Sequence, residues 1–351
     1  MTKLRFAQAG VTAIHGTMYR ETLQLMADMV EIVAFYDPDP AAVRPKLAPA
    51  LQDVPFYPSV AALAAEARPD AILVSAPNTD MPGLAIPAAE AGVHIWLEKP
   101  CAAHSSQLLP LADAIERHHL AFSTGYSWRF HPVCQLIRET VAAGLLGDLY
   151  SIEVRFITSS VRRRGTSNWG FQRAIAGGGI LNWLGCHWFD LMRFLTNAEV
   201  TRVAAIEANV GRQPIDVEDA AAVALRFDNG MIGSLHTGFL TPGESELWVG
   251  LRGSEGWVRW DLDSNACTIK STRPAWLNAP LRTYNLPMPA IAGYGPEGLA
   301  LMQQFCAAIR GEGSSGYTVA DAIAALRIIE AAHDSAAEAR TITLHGAEGA
   351  A

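Results

Sequence analysis

"LRFAQAGVTA", residues 4–13, decides how the first part of the chain is read. A short apolar run ends at Gly10, and "TAIHGTMYRETLQLMADM" follows with helical spacing. A strand that turns through a glycine into a helix brings bare backbone and a helix N-terminus up to a phosphate. The usual dinucleotide pattern is G-x-G-x-x-G/A; this chain has Gln8, Gly10 and Ala13 in those places. Gly10 lets backbone approach a pyrophosphate, and Ala13 is small enough for close helix–strand packing. Thr12 lies in the same turn and joins them as a candidate cofactor contact. Gln8 replaces the glycine of the tight turn. An ordinary strand–helix connection would look similar, so the turn alone is a weak signal.

Asp37 strengthens it. The strand-like run "VEIVAFYDPDP" stops there, where an acidic side chain accepts hydrogen bonds from the ribose hydroxyls. A carboxylate in that place repels a 2′-phosphate, so NAD is expected over NADP. The plainer reading is that Asp37 only starts the turn before Pro38.

Working outward, "SVAALAAEAR" is helical, "DAILVSAPN" a buried strand, "PGLAIPAAEAG" a helix and "HIWLEKP" another strand. Apolar strands separated by helices read as βαβ units around a parallel sheet. After about residue 122 the texture changes to strands in series, broken by Gly, Asn and Asp. "FDNGMIG" carries an Asn-Gly hairpin signal. Helical stretches, "CHWFDLMRFLT" among them, interrupt or follow these strands. The chain is therefore expected to be α/β with two domains: an N-terminal Rossmann domain over residues 1–122, and a C-terminal α+β domain with a mostly antiparallel sheet over residues 123–351.

The bulk numbers agree. The chain has 351 residues, half of them hydrophobic, and a formal net charge of −8. That length suits two domains with a core that needs no staples. The negative charge disfavours nucleic acid. Five scattered cysteines without a CxxC argue against a disulfide framework and a structural zinc site, and no metal is expected. The N-terminus enters a strand at once, and no apolar run reaches the ~18 residues of a membrane span. A cytoplasmic protein without a membrane partner is expected.

"LEKP", residues 97–100, brings in a resemblance that runs nearly end to end. With "APNTDMPGLAIPAAEAGVHIWLEKP", "GYSWRFHP", "GGGILNWLGCHWFD" and "VEDAAAVALRFDNG", the chain resembles the Gfo/Idh/MocA oxidoreductases. The resemblance implies a Rossmann domain, a C-terminal domain with a large open sheet, and a nicotinamide cofactor at their junction. Pro77, Asn78, Glu98 and Lys99 join Gly10, Thr12, Ala13 and Asp37 as candidate cofactor contacts. A sugar or polyol substrate is implied, as is a homodimer or homotetramer formed through the C-terminal sheet. Three positions depart from the family's pattern. Gln8 is one. Met81 stands where a histidine is frequent. Trp183 occupies the place of an aspartate one helical turn before His187, and the neighbouring Asn182 points about 100° away on a helix.

Oxidising a secondary alcohol requires a hydride acceptor and a base, and histidine suits the base. His187 is expected to take the proton. Lys99, at the C-terminal end of a strand, is expected to stabilise charge on the reacting oxygen. Without the family, His187 would read as a core histidine. Asp190 orients the helix or a substrate hydroxyl, or is simply a cap or surface carboxylate. Asn168, Trp169 and Arg173 suit sugar binding, with Trp183 offering an aromatic face. "RRRG", residues 162–165, is a solvated loop or a lid. Arg129 reaches the cofactor pocket or the domain junction, or forms a structural salt bridge. The leading function is an NAD(P)-dependent dehydrogenase acting on a sugar, glycoside or cyclic polyol. The alternatives are an NAD-assisted lyase or glycosidase working through a transient keto sugar, and a non-catalytic NAD-binding regulator.

Overall fold

The computed structural model describes residues 2–11, 14–261 and 266–344, so Thr12 and Ala13 lie outside the described residues. The chain divides into two compact units. One comprises Met1–Phe130 with Pro289–Ile323, and the other His131–Met288 with Ala324–Ala351.

The first unit is built on five parallel strands in the order β2-β1-β3-β4-β5. They are β1 (Leu4–Ala9), β2 (Val30–Tyr36), β3 (Ala71–Val74), β4 (His94–Leu97) and β5 (Phe122–Thr124). β3 reads Ala-Ile-Leu-Val and is buried throughout, as a strand covered on both faces must be. The helices Ile14–Leu25, Val60–Ala67, Met81–Glu90 and Leu109–Arg117 alternate with the strands. Ser59 caps the second of these by accepting from the backbone N–H of Ala62 at 3.1 Å. This strand order reverses direction between β1 and β3, and ligands bind outside the strand ends at such a switch.

The division differs from the single boundary expected at residue 122. Residues Pro289–Ile323 return to the first unit because their helix, Gly295–Ile309, has a hydrophobic face to cover. Phe305 sets its ring edge-on to Phe6 at 6.2 Å and to Trp96 at 5.6 Å. Arg129 fastens the same segment through Asp321 at 2.9 Å and the carbonyl of Gly316 at 3.0 Å. Its structural reading therefore holds.

The second unit carries a nine-stranded sheet in the order β13-β12-β11-β10-β6-β9-β8-β7-β14. The strands are β6 (Leu149–Ser159), β7 (Val200–Ala208), β8 (Ala220–Phe227), β9 (Ile232–Thr241), β10 (Glu246–Gly253), β11 (Gly256–Asp261), β12 (Ala266–Ser271), β13 (Leu281–Asn285) and β14 (Ile342–Thr343). All neighbours are antiparallel except β6 and β9. β8 alternates buried and exposed residues, the signature of a sheet with one covered face. The helix Cys186–Thr196 packs on the sheet, with Trp188 4.8 Å from Phe156. The other face is open: Ile206 is 76% exposed, and Ala222, Ala224, His236 and Trp248 line a broad groove. All five cysteines are buried. No described helix is long and apolar enough to cross a membrane.

Candidate active site

In the first unit, the expected cofactor residues line up along the carboxyl edge of the parallel sheet. Gly10 follows β1, Asp37 follows β2, Pro77 and Asn78 follow β3, and Glu98 and Lys99 follow β4. Backbone hydrogen bonds hold these ends in line: Gly10 to Tyr36, Ser75 to Ala9, and Glu98 to Val74. Gly10 has a φ of +78°, and a Cβ there would meet the carbonyl oxygen of Ser75 at 1.8 Å, so only glycine fits. Asp37 is buried and accepts from the backbone N–H of Val11 at 2.9 Å and of Asp39 at 3.1 Å. This is a glycine-tight turn with a carboxylate fixed beside it, the arrangement a dinucleotide's pyrophosphate and ribose fit. Met81 is buried at the start of the helix Met81–Glu90.

Glu98 is held by two residues that the sequence reading did not single out. His15 Nδ1 lies 2.5 Å from Glu98 Oε1, and the Tyr19 hydroxyl donates to Oε2. Tyr19 in turn stacks on Tyr294, with ring centroids 4.8 Å apart. Burial alone would push the Glu98 carboxyl up. His15, the Lys99 ammonium and the Tyr19 hydroxyl outweigh it and hold Glu98 below the usual carboxylate range. An ionised Glu98 therefore sits beside Lys99, itself buried. The only local signal was spacing: His15 and Tyr19 stand four apart on one helix face.

In the second unit, "GGGILNWLGCHWFD" becomes a turn that enters a helix through a π-helical stretch, Leu181–Gly185, before the α-helix Cys186–Thr196. Glu218 caps this entry. Its carboxylate accepts from the N–H of Gly179 at 2.8 and 2.9 Å and of Leu181 at 3.0 Å. A Cβ at Gly179 would meet the Glu218 carbonyl oxygen at 1.9 Å, which explains the glycine. A carboxylate at a helix N-terminus is favoured by the aligned peptide dipoles. Asn182 is buried, with its Oδ1 3.1 Å from His333 Nε2, and His333 Nδ1 lies 2.6 Å from Glu207. Ligand atoms of Glu207, Glu218 and His333 lie within 4.8 Å of one another. The Glu218 oxygens already take backbone N–H groups, and Arg173 Nη2 stands 3.6 Å from Glu218 and 3.9 Å from Glu207.

The helix carries His187 and Asp190, both buried, so Asp190 is not a surface carboxylate. Trp183 is half-buried in an aromatic cluster. It stacks on Phe171 (5.3 Å, 19°) and meets Phe239 at 6.1 Å and Trp169 at 6.4 Å. The indole expected to offer its face to a sugar thus has Phe171 stacked on it. Asn168 Oδ1 accepts from the N–H of Gly170, capping a short 3-10 turn. Arg173 is turned toward Asp216, by its N–H at 2.7 Å and its Nε to the carbonyl at 3.2 Å. Trp169 thus joins Trp183, whereas Arg173 joins the Glu207–Glu218 cluster. The arginine run divides: Arg162 and Arg163 are exposed, and Arg164 is half-buried.

A parallel sheet whose glycine turn and acidic strand end face one edge is the frame of a dinucleotide-binding fold, and the comparisons agree. A family profile described as "Oxidoreductase family, NAD-binding Rossmann fold" matches residues 4–126, and one described as "GFO/IDH/MocA C-terminal domain" matches residues 134–259. The chain belongs to the Gfo/Idh/MocA family of NAD-binding oxidoreductases. Rhizopine catabolism protein MocA of Rhizobium meliloti is 27% identical over 338 residues, covering 95% of each chain. Levoglucosan dehydrogenase of Pseudarthrobacter phenanthrenivorans is 25% identical over 302 residues, 76% of this chain and 77% of its own. The solved structure of levoglucosan dehydrogenase in complex with NADH and levoglucosan shares the fold, with a TM-score of 0.86 at 21% identity over 98% of this chain and 100% of that one.

Proposed function

We propose that the protein oxidises a secondary hydroxyl of a sugar, glycoside or cyclic polyol to a ketone, with NAD preferred over NADP. The observation that carries this reading is the row of Gly10, Asp37, Asn78, Glu98 and Lys99 along one sheet edge. The name of the relative levoglucosan dehydrogenase supports a sugar substrate.

NAD, when bound, accepts the hydride. Gly10 admits its pyrophosphate, and Asp37 holds the ribose hydroxyls and repels a 2′-phosphate. Lys99 stabilises the negative charge that grows on the substrate oxygen as its proton leaves. Glu98, fixed by His15 and Tyr19, keeps the lysine ammonium in place. His187 takes the hydroxyl proton. Its Nδ1 is enclosed, so Nε2 is the nitrogen that receives it. Trp183 and Trp169 shape the pocket and exclude water. A second copy of the chain covers the open face of the nine-stranded sheet, where Ile206 is exposed.

The test is turnover over a panel of monosaccharides, glycosides and inositols with NAD and with NADP, followed at the nicotinamide absorbance. NADH formation with at least one of them supports the reading. Cofactor binding with no redox change across the panel contradicts it.

A further inference from the structure

Arg164 is set among aromatic rings and, among the described residues, is paired with no acid. Its guanidinium carbon lies 4.9 Å from the centre of the Phe239 ring and 5.4 Å from that of Trp183. Its Nε is enclosed and has no hydrogen-bond partner among the described residues, and no described carboxylate forms an ion pair with it. Burial, and then the charge of Arg163, lower its pKa from the usual arginine value. Both effects press against a charge that arginine nonetheless keeps. The neighbouring arginine adds to the positive field: the Arg163 guanidinium donates to the carbonyl of Gly243 and, among the described residues, pairs with no carboxylate.

Such a cation is aimed but not neutralised. The rings fix the plane of the fork, which lowers the ordering needed to grip a second planar group. Trp183 stands at the position where the family's pattern has a carboxylate, so an indole sits beside Arg164 in this chain. Among the described residues none supplies the negative charge that would complete the arrangement.

We infer that Arg164 is a subsite for an oxyanion carried by the substrate, so that the preferred substrate is an acidic sugar bearing a carboxylate or a phosphate. The inference rests on the reading of the pocket beside Trp183 and His187 as the substrate site. A bidentate oxyanion would engage the two Nη groups of Arg164, its Nε being enclosed, and offset the charge set among the rings. Neutral sugars of the same ring form would leave the guanidinium without an ionic partner.

The experiment compares D-glucuronate, D-glucose 6-phosphate and D-glucose as probes, with the full-length protein saturated with NAD. Two readouts are taken: kcat/KM at the nicotinamide absorbance, and binding by calorimetry. Wild type is expected to favour at least one of the anionic probes over glucose by about tenfold or more. Which of the two is favoured separates carboxylate from phosphate. In Arg164→Gln the ratio falls to about one, and Arg164→Lys, which keeps a charge without the fork, lies between. Glucose handled as well as both anions by wild type, or a preference that survives in Arg164→Gln, overturns the anion subsite. Arg164-dependent binding of an anion without any NADH formed upholds the subsite and contradicts the dehydrogenase reading instead. Binding of none of the three overturns the subsite.

Discussion

Arg20 donates to Gln8 Oε1 at 3.1 Å while Gln8 Nε2 donates to the carbonyl of Gly16 at 3.1 Å, so the residue in place of the first glycine is tied to the first helix. Gln8 is only 1% exposed, and Arg20 also donates to the carbonyl of Val11, inside the turn itself. The exchange of glycine for glutamine thus comes with an internal brace. Arg20→Met is expected to leave these acceptors buried without a donor and to lower stability by about 1–3 kcal/mol. It should also weaken NAD binding, because the turn that Gly10 shapes loses its support. Gln8→Gly restores the usual residue but removes Arg20's acceptor, and is expected to lower the melting temperature without tightening NAD. Thermal unfolding and calorimetry check both; a Gln8→Gly protein that is more stable and binds NAD more tightly would show that the brace has no role.

Asp37 should set cofactor choice. Repulsion between its carboxylate and a 2′-phosphate in a partly buried site is on the order of a hundredfold in affinity. Dissociation constants for NADH and NADPH are expected to differ by about that factor in wild type. The gap should narrow in Asp37→Ser, which retains a hydroxyl near the Val11 N–H. Equal affinities in wild type would remove Asp37 from this role.

Lys99 and Glu98 should separate in kinetics. Lys99→Met is expected to lower kcat by about a hundredfold or more while the dissociation constant for NAD changes little, because its contribution belongs to the transition state. Tyr19→Phe removes one donor to Glu98 but leaves His15 in place, so a smaller fall in kcat is expected. A Lys99→Met enzyme within a factor of ten of wild type would mean that another group carries the developing charge.

The brace around the helix entry should make stability depend on pH. Burial works against a charged His333, but its hydrogen bond with Glu207 and the charges of Glu218 and Glu207 outweigh that and raise its pKa above the ordinary histidine value. An unfolded histidine titrates near about 6.5. With the folded value raised, the stabilisation is complete below that pH and is lost as pH rises through the folded value. Glu218 acts with the same sign: burial raises its carboxyl, so the folded state favours its protonated form and is helped by acid. His333→Gln should therefore reduce the melting temperature most on the acid side, by about 2–4 °C per kcal/mol lost, with the difference shrinking in alkali. A difference that grows with pH would contradict the charged-histidine account.

What could be read from the sequence alone follows from how local each feature is. The strand–Gly10–helix turn and the strand ending at Asp37 depend on neighbours within a few residues, so both were visible. The alternation along β8 and the Asn229-Gly230 turn are equally local. Contacts across long stretches of chain were not visible. His15 and Tyr19 reach Glu98 over 83 and 79 residues, and Asn182 meets His333 over 151. The return of Phe305 to Phe6 and Trp96 moved the domain boundary for the same reason. Arg173, expected to bind a sugar, shows how a cation placed on a loop by sequence meets the carbonyl of Asp216 and the carboxylates of Glu218 and Glu207 once residues far apart fold together.

The most direct test of the whole reading is the pH dependence of kcat/KM for NAD reduction in wild type and His187→Asn, measured on the best sugar substrate. If His187 takes the proton, wild type loses activity toward acid as the base becomes protonated. The variant should be slower by about a hundredfold or more, with that acid limb gone. A His187→Asn enzyme that keeps the same acid limb, or that matches wild type in rate, would contradict the assignment of His187 as the base and with it the chemistry proposed for this fold.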